Sequence, residues 1–356
     1  MAKHDIVVIG ASAGGVEALL NMVKVLPVDF PAPIFVVIHL SPYSPSQLPK
    51  IISRGSNLPA VHPKDGQAIE PGTIYIAPPD HHLLLEKEGR IAVKKGPKEN
   101  RFRPSIDALF RSAALLYGPR VTGIVLSGLL DDGTSGMWSI KQNGGICVVQ
   151  DPEETQFPHM PQNVMQYVEV DHELTASEIG VLLVALTQEK APVRPALTKE
   201  EMELLKMEVI IASRDNAFEM GIMGMGELTT YSCPECKGAL VRFDEGQMIR
   251  FRCHTGHAYS SSTLLAGVTT QVEEKLWEAM QGLEATNMLL NQIAEHYQEK
   301  GNAGTAKQFE KKAKQIADRA KVLKDIVISQ ELMSEDMRAS DDENVNSMKK
   351  EKRKRA

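Results

Sequence analysis

A glycine-rich turn close to the start of the chain is the feature that most constrains its fold. The turn, residues 10–15, follows an apolar run at residues 6–9 and precedes an amphipathic segment at residues 16–26. A buried strand that enters a helix through such a turn is typical of an α/β sheet. Ser12 lies within the turn, where its hydroxyl is exposed to substrate and the following backbone N–H groups can bind an oxyanion. The pattern therefore predicts a nucleophilic serine.

The same turn also resembles the dinucleotide-binding pattern G-x-G-x-x-G, with Ser12 in place of the second glycine. That pattern expects an acidic residue roughly 20 residues on, after the second strand. Here the second apolar run, residues 33–38, is followed by His39 and by no acidic residue close behind it. Because a histidine supplies a general base for a serine, this arrangement favours catalysis over nucleotide binding.

Composition excludes several classes of protein. The 356 residues suffice for roughly two to three domains, and 24% of them are charged, with a net charge of −6. This charge, without a dense Lys/Arg block before residue 345, argues against nucleic-acid binding. No apolar stretch approaches the roughly 18–20 residues that cross a bilayer, and the first five residues lead directly into a strand. We therefore expect a cytoplasmic protein without direct membrane insertion.

The first part of the chain, residues 1–190, alternates short β-branched runs with helical stretches. Such apolar runs with intervening helices, as at residues 106–117 and 135–143, are typical of a parallel sheet covered on both faces. We predict one α/β domain with a doubly wound, mostly parallel sheet and helices on both faces. The expected strands are residues 6–9, 34–38, 73–77, 91–93, 121–126 and 146–149.

The remainder of the chain divides into four expected segments. Residues 191–227 are a linker and helix, and residues 228–260 form a small cysteine module. Residues 261–333 carry apolar positions three or four apart on both sides of a turn at 301–304, which predicts a helical hairpin. This hairpin either packs on its own protein or binds a signalling partner. Residues 334–356 are an expected disordered tail.

Three strand ends carry chemistry in the predicted α/β domain. Ser12 and His39 follow the first two strands, and the run at 121–126 leads into a loop that contains Asp131 and Asp132. Ligands of doubly wound sheets bind outside the carboxyl ends of the strands. If these strands are neighbours, His39 can take the Ser12 proton while an aspartate holds the imidazole. Spacing alone does not choose between the two aspartates.

The chain carries five motifs in order along the sequence, at residues 9–15, 37–40, 75–80, 103–110 and 127–136. Together they resemble the catalytic domain of the chemotaxis protein-glutamate methylesterases over residues 4–185. The resemblance implies hydrolysis of γ-glutamyl methyl esters on chemoreceptor helices, with release of methanol, and deamidation of glutamines. It implies no cofactor for catalysis. Family members often carry an N-terminal receiver domain, which we do not expect here because the catalytic strand begins at residue 5.

Carried over position by position, the resemblance assigns the catalytic roles. It makes Ser12 the nucleophile, His39 the base and Asp132 the orienting carboxylate. Asp132 is preferred to Asp131 because the family motif places its aspartate directly before the glycine, here Gly133.

Backbone groups of the same loops are candidates for the oxyanion hole, namely the N–H groups of Ala13 and Leu129. Family members often have threonine at the position of Ala13 and glycine at the position of Leu130. The leucine at 130 is expected to alter the backbone path beside the oxyanion hole.

The cysteine module has the spacing of a metal site. Cys233 and Cys236 form one pair, and Cys253 follows after 16 residues with His257 on the same turn. Three thiolates and one imidazole suit tetrahedral Zn²⁺, and such sites are usually structural. His254 is the alternative fourth ligand. We predict a zinc-ribbon-like module with a structural role.

Two alternatives to a chemoreceptor methylesterase stay open at this point. The chain could keep the fold as a non-catalytic signalling scaffold whose module and hairpin bind partners. It could also be a serine esterase that hydrolyses a different ester. The complete Ser, His and Asp set favours an enzyme.

Overall fold

A computed structural model describes residues 3–40, 45–213, 219, 221–224 and 226–328. The chain divides into two compact units, Met1–Leu264 and Leu265–Ala356. The tail expected at residues 334–356 lies outside the described residues. No helix in the described part is long and apolar enough to cross a membrane.

The strands of the α/β domain form one parallel sheet and one hairpin. The sheet has the order β3-β4-β2-β1-β7-β8-β9, and every pair of neighbours in it is parallel. Its three central strands are buried along their whole length. The strands are β1 (Ile6–Ala11), β2 (Ile34–Ile38), β3 (Ala60–Val61), β4 (Ile74–Ile76), β5 (His82–Glu86), β6 (Arg90–Lys94), β7 (Val121–Val125), β8 (Ile146–Gln150) and β9 (His172–Leu174).

Helices cover both faces of the sheet. One apolar core lies beneath α1, α2 and α6 as defined below, and the other lies beneath α3, α4, α5 and the β5–β6 hairpin. The doubly wound α/β fold is therefore confirmed. The helices are α1 (Gly15–Val23), α2 (Leu48–Gly55), α3 (Ile106–Tyr117), α4 (Thr134–Gln142), α5 (His159–Tyr167) and α6 (Ala176–Leu186).

One expected strand is not part of the parallel sheet. The run at residues 91–93 lies in β6, which pairs antiparallel with β5. The two strands are joined only by the short 3₁₀ turn Lys87–Gly89. Because a parallel crossover needs about a dozen residues or more, this connection permits only a hairpin.

The segment after residue 190 begins along the surface of the α/β domain. Arg194 donates hydrogen bonds to the carbonyls of Ala114 and Leu115 at the end of α3, at 3.0 and 2.9 Å. The elements that follow form a four-stranded antiparallel sheet, ordered β10-β11-β12-β13, between two helices. They are α7 (Lys199–Ser213), β10 (Glu227–Ser232), β11 (Ala239–Glu245), β12 (Met248–Cys253), β13 (Ala258–Ser260) and α8 (Ser261–Glu299).

A buried ionic network joins this small sheet and α7 to the α/β domain. Glu99 accepts hydrogen bonds from Arg111 of α3 and, at 3.1 Å, from Arg252 of β12. Glu208 of α7 accepts from Arg252 at 2.7 Å and from Arg250 at 3.0 Å. All five side chains are at most 2% exposed. Buried charges tolerate few alternative arrangements, so the network fixes how the module docks.

The second unit contains a helical hairpin, as predicted. The part of α8 that begins at Leu265 is followed by α9, residues 303–328, after a turn at Gly301, whose φ is 76°. The rings of Tyr297 and Phe309 stack across the turn with centroids 5.7 Å apart. Two of the regularly spaced apolar residues within 261–333, Val268 and Val272, are exposed, at 40% and 43%.

Candidate active site

Three neighbouring strands bring the predicted catalytic residues together. β1 pairs with β2 on one side and with β7 on the other. Ser12 follows β1, His39 follows β2, and Asp132 lies in the loop after β7. The His39 Nδ1 atom lies 3.2 Å from Ser12 Oγ, and His39 Nε2 lies 2.8 Å from Asp132 Oδ2. A hydroxyl, an imidazole and a carboxylate therefore form one connected chain.

The two nitrogens of the His39 imidazole face different partners, Nδ1 toward Ser12 and Nε2 toward Asp132. Because the Asp132 carboxylate can only accept, Nε2 carries the proton and Nδ1 is left to face Ser12. This is the reverse of the chymotrypsin-type arrangement, in which Nε2 faces the serine. The ring of Phe102 stacks on His39 with centroids 3.8 Å apart and planes 6° apart. The His39 side chain is only 4% exposed, so its orientation is fixed on both sides.

Asp132 is held at the start of α3 by several donors. Its Oδ2 accepts the Ile106 N–H at 2.8 Å, and its Oδ1 accepts the Asp107 N–H at 3.3 Å. The Ser105 hydroxyl and the Asn100 side-chain amide each donate to Oδ1 at 2.9 Å. A helix N-terminus favours negative charge because its first N–H groups lack partners within the helix.

These contacts separate the pKa values of two buried carboxyl groups. Burial opposes ionisation of Asp132, but hydrogen bonds from His39, the Ile106 N–H and Asn100 outweigh it and lower its pKa to about 2. Burial and the nearby charge of Asp132 raise the pKa of Asp107 to about 7. Asp132 is therefore the group that stays ionised beside His39.

Asp131 faces a different direction from its neighbour. Its carboxylate accepts the hydroxyls of Ser260 and Ser262 at 2.8 and 2.6 Å, and burial raises its pKa. The structure thus brings Asp132 to His39 and directs Asp131 to the junction of β13 and α8.

The glycines of the turn serve close packing beside Ser12. A Cβ on Gly10 would lie 2.3 Å from Ile106 Cγ2, so the glycine lets α3 approach the sheet. Gly14 has a φ of 73°, and a Cβ there would lie 2.8 Å from Ser127 Oγ. Both glycines are accounted for by these contacts without a bound pyrophosphate.

The loop after β7 lies directly against the nucleophile. The Ser12 N–H donates to the Ser127 carbonyl at 2.9 Å. Among the described residues, the N–H groups of Ala13 and Leu129 have no hydrogen-bond acceptor, and their role in an oxyanion hole stays a prediction. Leu130 has a φ of 61°, so this leucine adopts the left-handed conformation that glycine adopts readily.

The reacting groups open into a cleft of about 550 Å³. Two of its positive side chains have acidic partners: Arg103 binds Asp80 at 2.6 Å, and Lys98 binds Glu235 of the module at 3.0 Å. The lining residues are Ser12, Ala13, His39, Leu40, Asp80, Lys98, Arg101, Phe102 and Arg103.

The predicted metal-binding residues also converge. The ligand atoms of Cys233, Cys236, Cys253 and His257 all lie within 4.8 Å of one another. Cys236 Sγ is 3.6 Å from Cys253 Sγ, and His257 Nδ1 is 3.5 Å from Cys253 Sγ. A tetrahedral site with Zn–S bonds near 2.3 Å has edges of about 3.8 Å, so the four residues fit a zinc ion. The alternative ligand, His254, is not a member of the cluster.

Comparisons with known proteins identify the family of the α/β domain. The CheB methylesterase family model matches residues 7–183. A protein of Leptospira interrogans, provisionally named a protein-glutamate methylesterase/protein-glutamine glutaminase, is 35% identical to this chain over 186 residues. The matched region covers 52% of this chain and 96% of that protein. This chain belongs to the CheB methylesterase family.

Other members of the CheB methylesterase family agree with this assignment. The crystal structure of the Thermotoga maritima CheB methylesterase catalytic domain matches with a TM-score of 0.50 and 35% identity, covering 52% of this chain and 99% of that one. The protein-glutamate methylesterase FrzG of Myxococcus xanthus is 34% identical over 180 residues, which cover 51% of this chain and 54% of FrzG. The similarity thus covers the α/β domain and leaves the module and hairpin outside it.

Sequence reasoning missed several residues around the triad, namely Asn100, Phe102 and Ser105. All three lie on the segment between β6 and α3, directly before or within a motif of the family. Their proximity to that motif was the available signal. Nothing in their spacing indicated that they contact His39 or Asp132.

Proposed function

We propose that this chain is a protein-glutamate methylesterase that hydrolyses γ-glutamyl methyl esters on chemoreceptor helices. The observation that carries the proposal is the hydrogen-bonded chain Ser12–His39–Asp132 at the carboxyl ends of three adjacent strands. The names of the relatives, the protein-glutamate methylesterase FrzG among them, support a glutamyl ester on a protein as the substrate. The resemblance to the chemotaxis methylesterases supports chemoreceptor helices as that protein.

The first half of the reaction forms an acyl-enzyme. Ser12 Oγ attacks the ester carbonyl carbon while His39 Nδ1 takes the hydroxyl proton, and Asp132 stabilises the resulting imidazolium through Nε2–H. In this proposal the N–H groups of Ala13 and Leu129 donate to the tetrahedral oxyanion, and each such donor contributes about 3 kcal/mol. The carbonyl re-forms as the C–O bond to methoxide breaks, and His39 returns its proton to release methanol.

The second half regenerates the enzyme. His39 Nδ1 takes a proton from water, and the resulting nucleophile attacks the Ser12 ester. The C–Oγ bond breaks, Ser12 regains a proton from His39, and the receptor keeps a free glutamate carboxylate. A glutamine side chain would follow the same steps and release ammonia instead of methanol, which is the proposed deamidase activity.

Methanol release from methylated chemoreceptor fragments tests this function. We expect Ser12→Ala and His39→Ala to lower the rate about 1000-fold or more. Ser213→Ala changes an exposed serine at the end of α7 and should leave the rate unchanged. No release from folded wild-type protein, or release that survives Ser12→Ala, would contradict the proposal.

We also propose that the Cys/His cluster binds a structural Zn²⁺ ion through Cys233, Cys236, Cys253 and His257. When bound, the metal joins the β10–β11 and β12–β13 turns of the module, and no catalytic step involves it. Metal analysis of the purified chain should find about one zinc per chain.

Two pairs of variants test the zinc ligands. Cys236→Ser and His257→Ala should lose the metal, whereas His254→Ala should retain it. Cys147→Ala should also retain zinc because Cys147 is buried in β8, outside the cluster. Retention of zinc in Cys236→Ser would reject this ligand set.

A further inference from the structure

The side chain of Asn100 joins the triad to the zinc-ribbon-like module. Its Nδ2 group donates to Asp132 Oδ1 at 2.9 Å and to Asp107 Oδ2 at 2.8 Å. Its Oδ1 accepts the Ser260 N–H at 3.2 Å, and the Thr263 hydroxyl lies 3.2 Å from the same oxygen. Asn100 is 2% exposed, so both ends of one amide are committed inside the protein.

The orientation of this amide is fixed by its neighbours. The Ser260 N–H can only donate, and an ionised Asp132 can only accept. If the amide were flipped, its NH₂ group would face the Ser260 N–H and its oxygen would face the Asp132 carboxylate, and neither pair could form a hydrogen bond. The donors to Oδ1 therefore favour the same orientation of the Asn100 amide as the two carboxylates do, with the NH₂ group toward Asp132. Without Ser260 and Thr263 the Oδ1 atom would lose both of these donors.

The backbone around Asn100 is held by the same module. The Asn100 N–H donates to the Ala258 carbonyl of β13 at 2.8 Å, and the Ala258 N–H donates to the Lys98 carbonyl at 3.2 Å. The φ of Asn100 is 49°, in the left-handed region. Because asparagine tolerates this conformation better than most residues but does not prefer it, the bonds to β13 help to maintain it.

We propose that Asn100 is a positioning residue for the triad and that Ser260 at the end of the module and Thr263 in the first turn of α8 help to set its orientation. The module thereby contributes directly to the reactivity of Ser12, beyond any stabilisation of the chain. This inference rests on the proposed function only in requiring that Ser12, His39 and Asp132 act together. It does not depend on the identity of the ester.

The test measures Ser12 reactivity with a fluorophosphonate probe, which labels an activated serine without needing a chemoreceptor. For the full chain, the maximal labelling rate (kinact) and the probe affinity (KI) are measured separately. Asn100→Ala should lower kinact about 10- to 100-fold, as expected for losing a hydrogen bond to a charged group, with KI unchanged. Asn100→Asp keeps the acceptor that faces the module but loses the donor to Asp132, and it should lower kinact at least as much.

Variants at Thr263 separate positioning from a purely structural role. Thr263→Val removes the hydroxyl and should lower kinact several-fold, whereas Thr263→Ser keeps the hydroxyl and should restore the wild-type rate. Thr286→Val makes the same change on α8 at a hydroxyl that donates to the Gly282 carbonyl, and it should have no effect. The double variant Asn100→Ala/Thr263→Val should be no slower than Asn100→Ala, because the effect of Thr263 passes through Asn100.

Several outcomes would overturn the inference. Unchanged kinact in Asn100→Ala or Asn100→Asp would remove the positioning role. Independent, multiplicative losses in the double variant would show that the module does not act through Asn100. If Thr263→Val does not fold, Asn100→Asp alone still decides, because equal reactivity with wild type would refute the role of the donor. Absence of labelling in wild type would instead reject the proposed triad.

Discussion

The close approach of α3 to β1 at Gly10 leads to a prediction whose size follows from the structure. A Cβ on Gly10 would lie 2.3 Å from Ile106 Cγ2 and 2.9 Å from its Cδ1. Carbon atoms pack best at about 3.5–4.0 Å, so the start of α3 would have to move by roughly 1.2 Å or more. Overpacking of this kind costs about 1–3 kcal/mol, and Gly10→Ala should lower the free energy of unfolding by that amount.

The same movement affects the triad. The Ile106 N–H lies 2.8 Å from Asp132 Oδ2, and a displacement of this size would break that hydrogen bond. Gly10→Ala should therefore also lower Ser12 labelling. Removing the obstructing atoms with Ile106→Ala costs about 2–5 kcal/mol by itself because it leaves a cavity. In the Ile106→Ala variant, however, Gly10→Ala should leave the free energy of unfolding nearly unchanged.

Urea unfolding followed by circular dichroism measures all four proteins of this double-mutant cycle. Gly10→Ala should cost about 1–3 kcal/mol less unfolding free energy in the Ile106→Ala background than in wild type, and this difference is the coupling between the two positions. Gly224→Ala is the control, because a Cβ there would contact nothing within 4 Å. Costs that add to within about 0.5 kcal/mol would refute the argument that steric approach requires glycine at position 10.

Three further predictions concern buried charge. Glu208→Gln removes one carboxylate from a network that holds three buried arginines, Arg111, Arg250 and Arg252, and so leaves excess positive charge buried. It should cost about 3–5 kcal/mol of stability in chemical unfolding, whereas the exposed Glu203→Gln should change stability by less than about 0.5 kcal/mol. The pKa of Asp132 is lowered to about 2, so its ionisation stabilises the fold above about pH 4 and this stabilisation is lost as the pH falls toward 2. The stability advantage of wild type over Asp132→Asn, measured at pH 6 and pH 3, should therefore shrink at the lower pH. The pKa of Asp107 is raised to about 7, which gives the opposite sign: wild type should gain stability relative to Asp107→Asn as the pH falls from about 7 to about 4.

The parallel sheet and the position of its reactive edge could be predicted from sequence. Strands buried on both faces are continuously apolar, so β1, β2 and β7 were visible as short runs, and the polar residues that follow them had to lie at one edge. The pairing of β6 could not be predicted in the same way. An apolar run shows burial, but it does not show which strand is its neighbour.

The docking of the module onto the α/β domain could not be predicted from sequence either, for an electrostatic reason. Arg250 and Arg252 alternate with apolar residues in β12, a pattern that predicts arginines in solvent. Their carboxylate partners Glu99 and Glu208 are distant in sequence, and a charge does not reveal its partner. Spacing alone could not distinguish Asp131 from Asp132 for a similar reason: only the hydrogen bonds of the folded chain show which of two adjacent carboxylates contacts His39.

The ionic network around Glu99 and Glu208 bears on whether the parts of this chain are interchangeable. A catalytic domain ending near residue 190 would retain Glu99 and Arg111 but lack Glu208, Arg250 and Arg252, and it would expose a surface built for burial. Its Asn100 would also lack the donors that orient it. In this chain the α/β domain and the module therefore form one unit of folding, and a graft of either part onto another protein would have to carry the matching charges of the other.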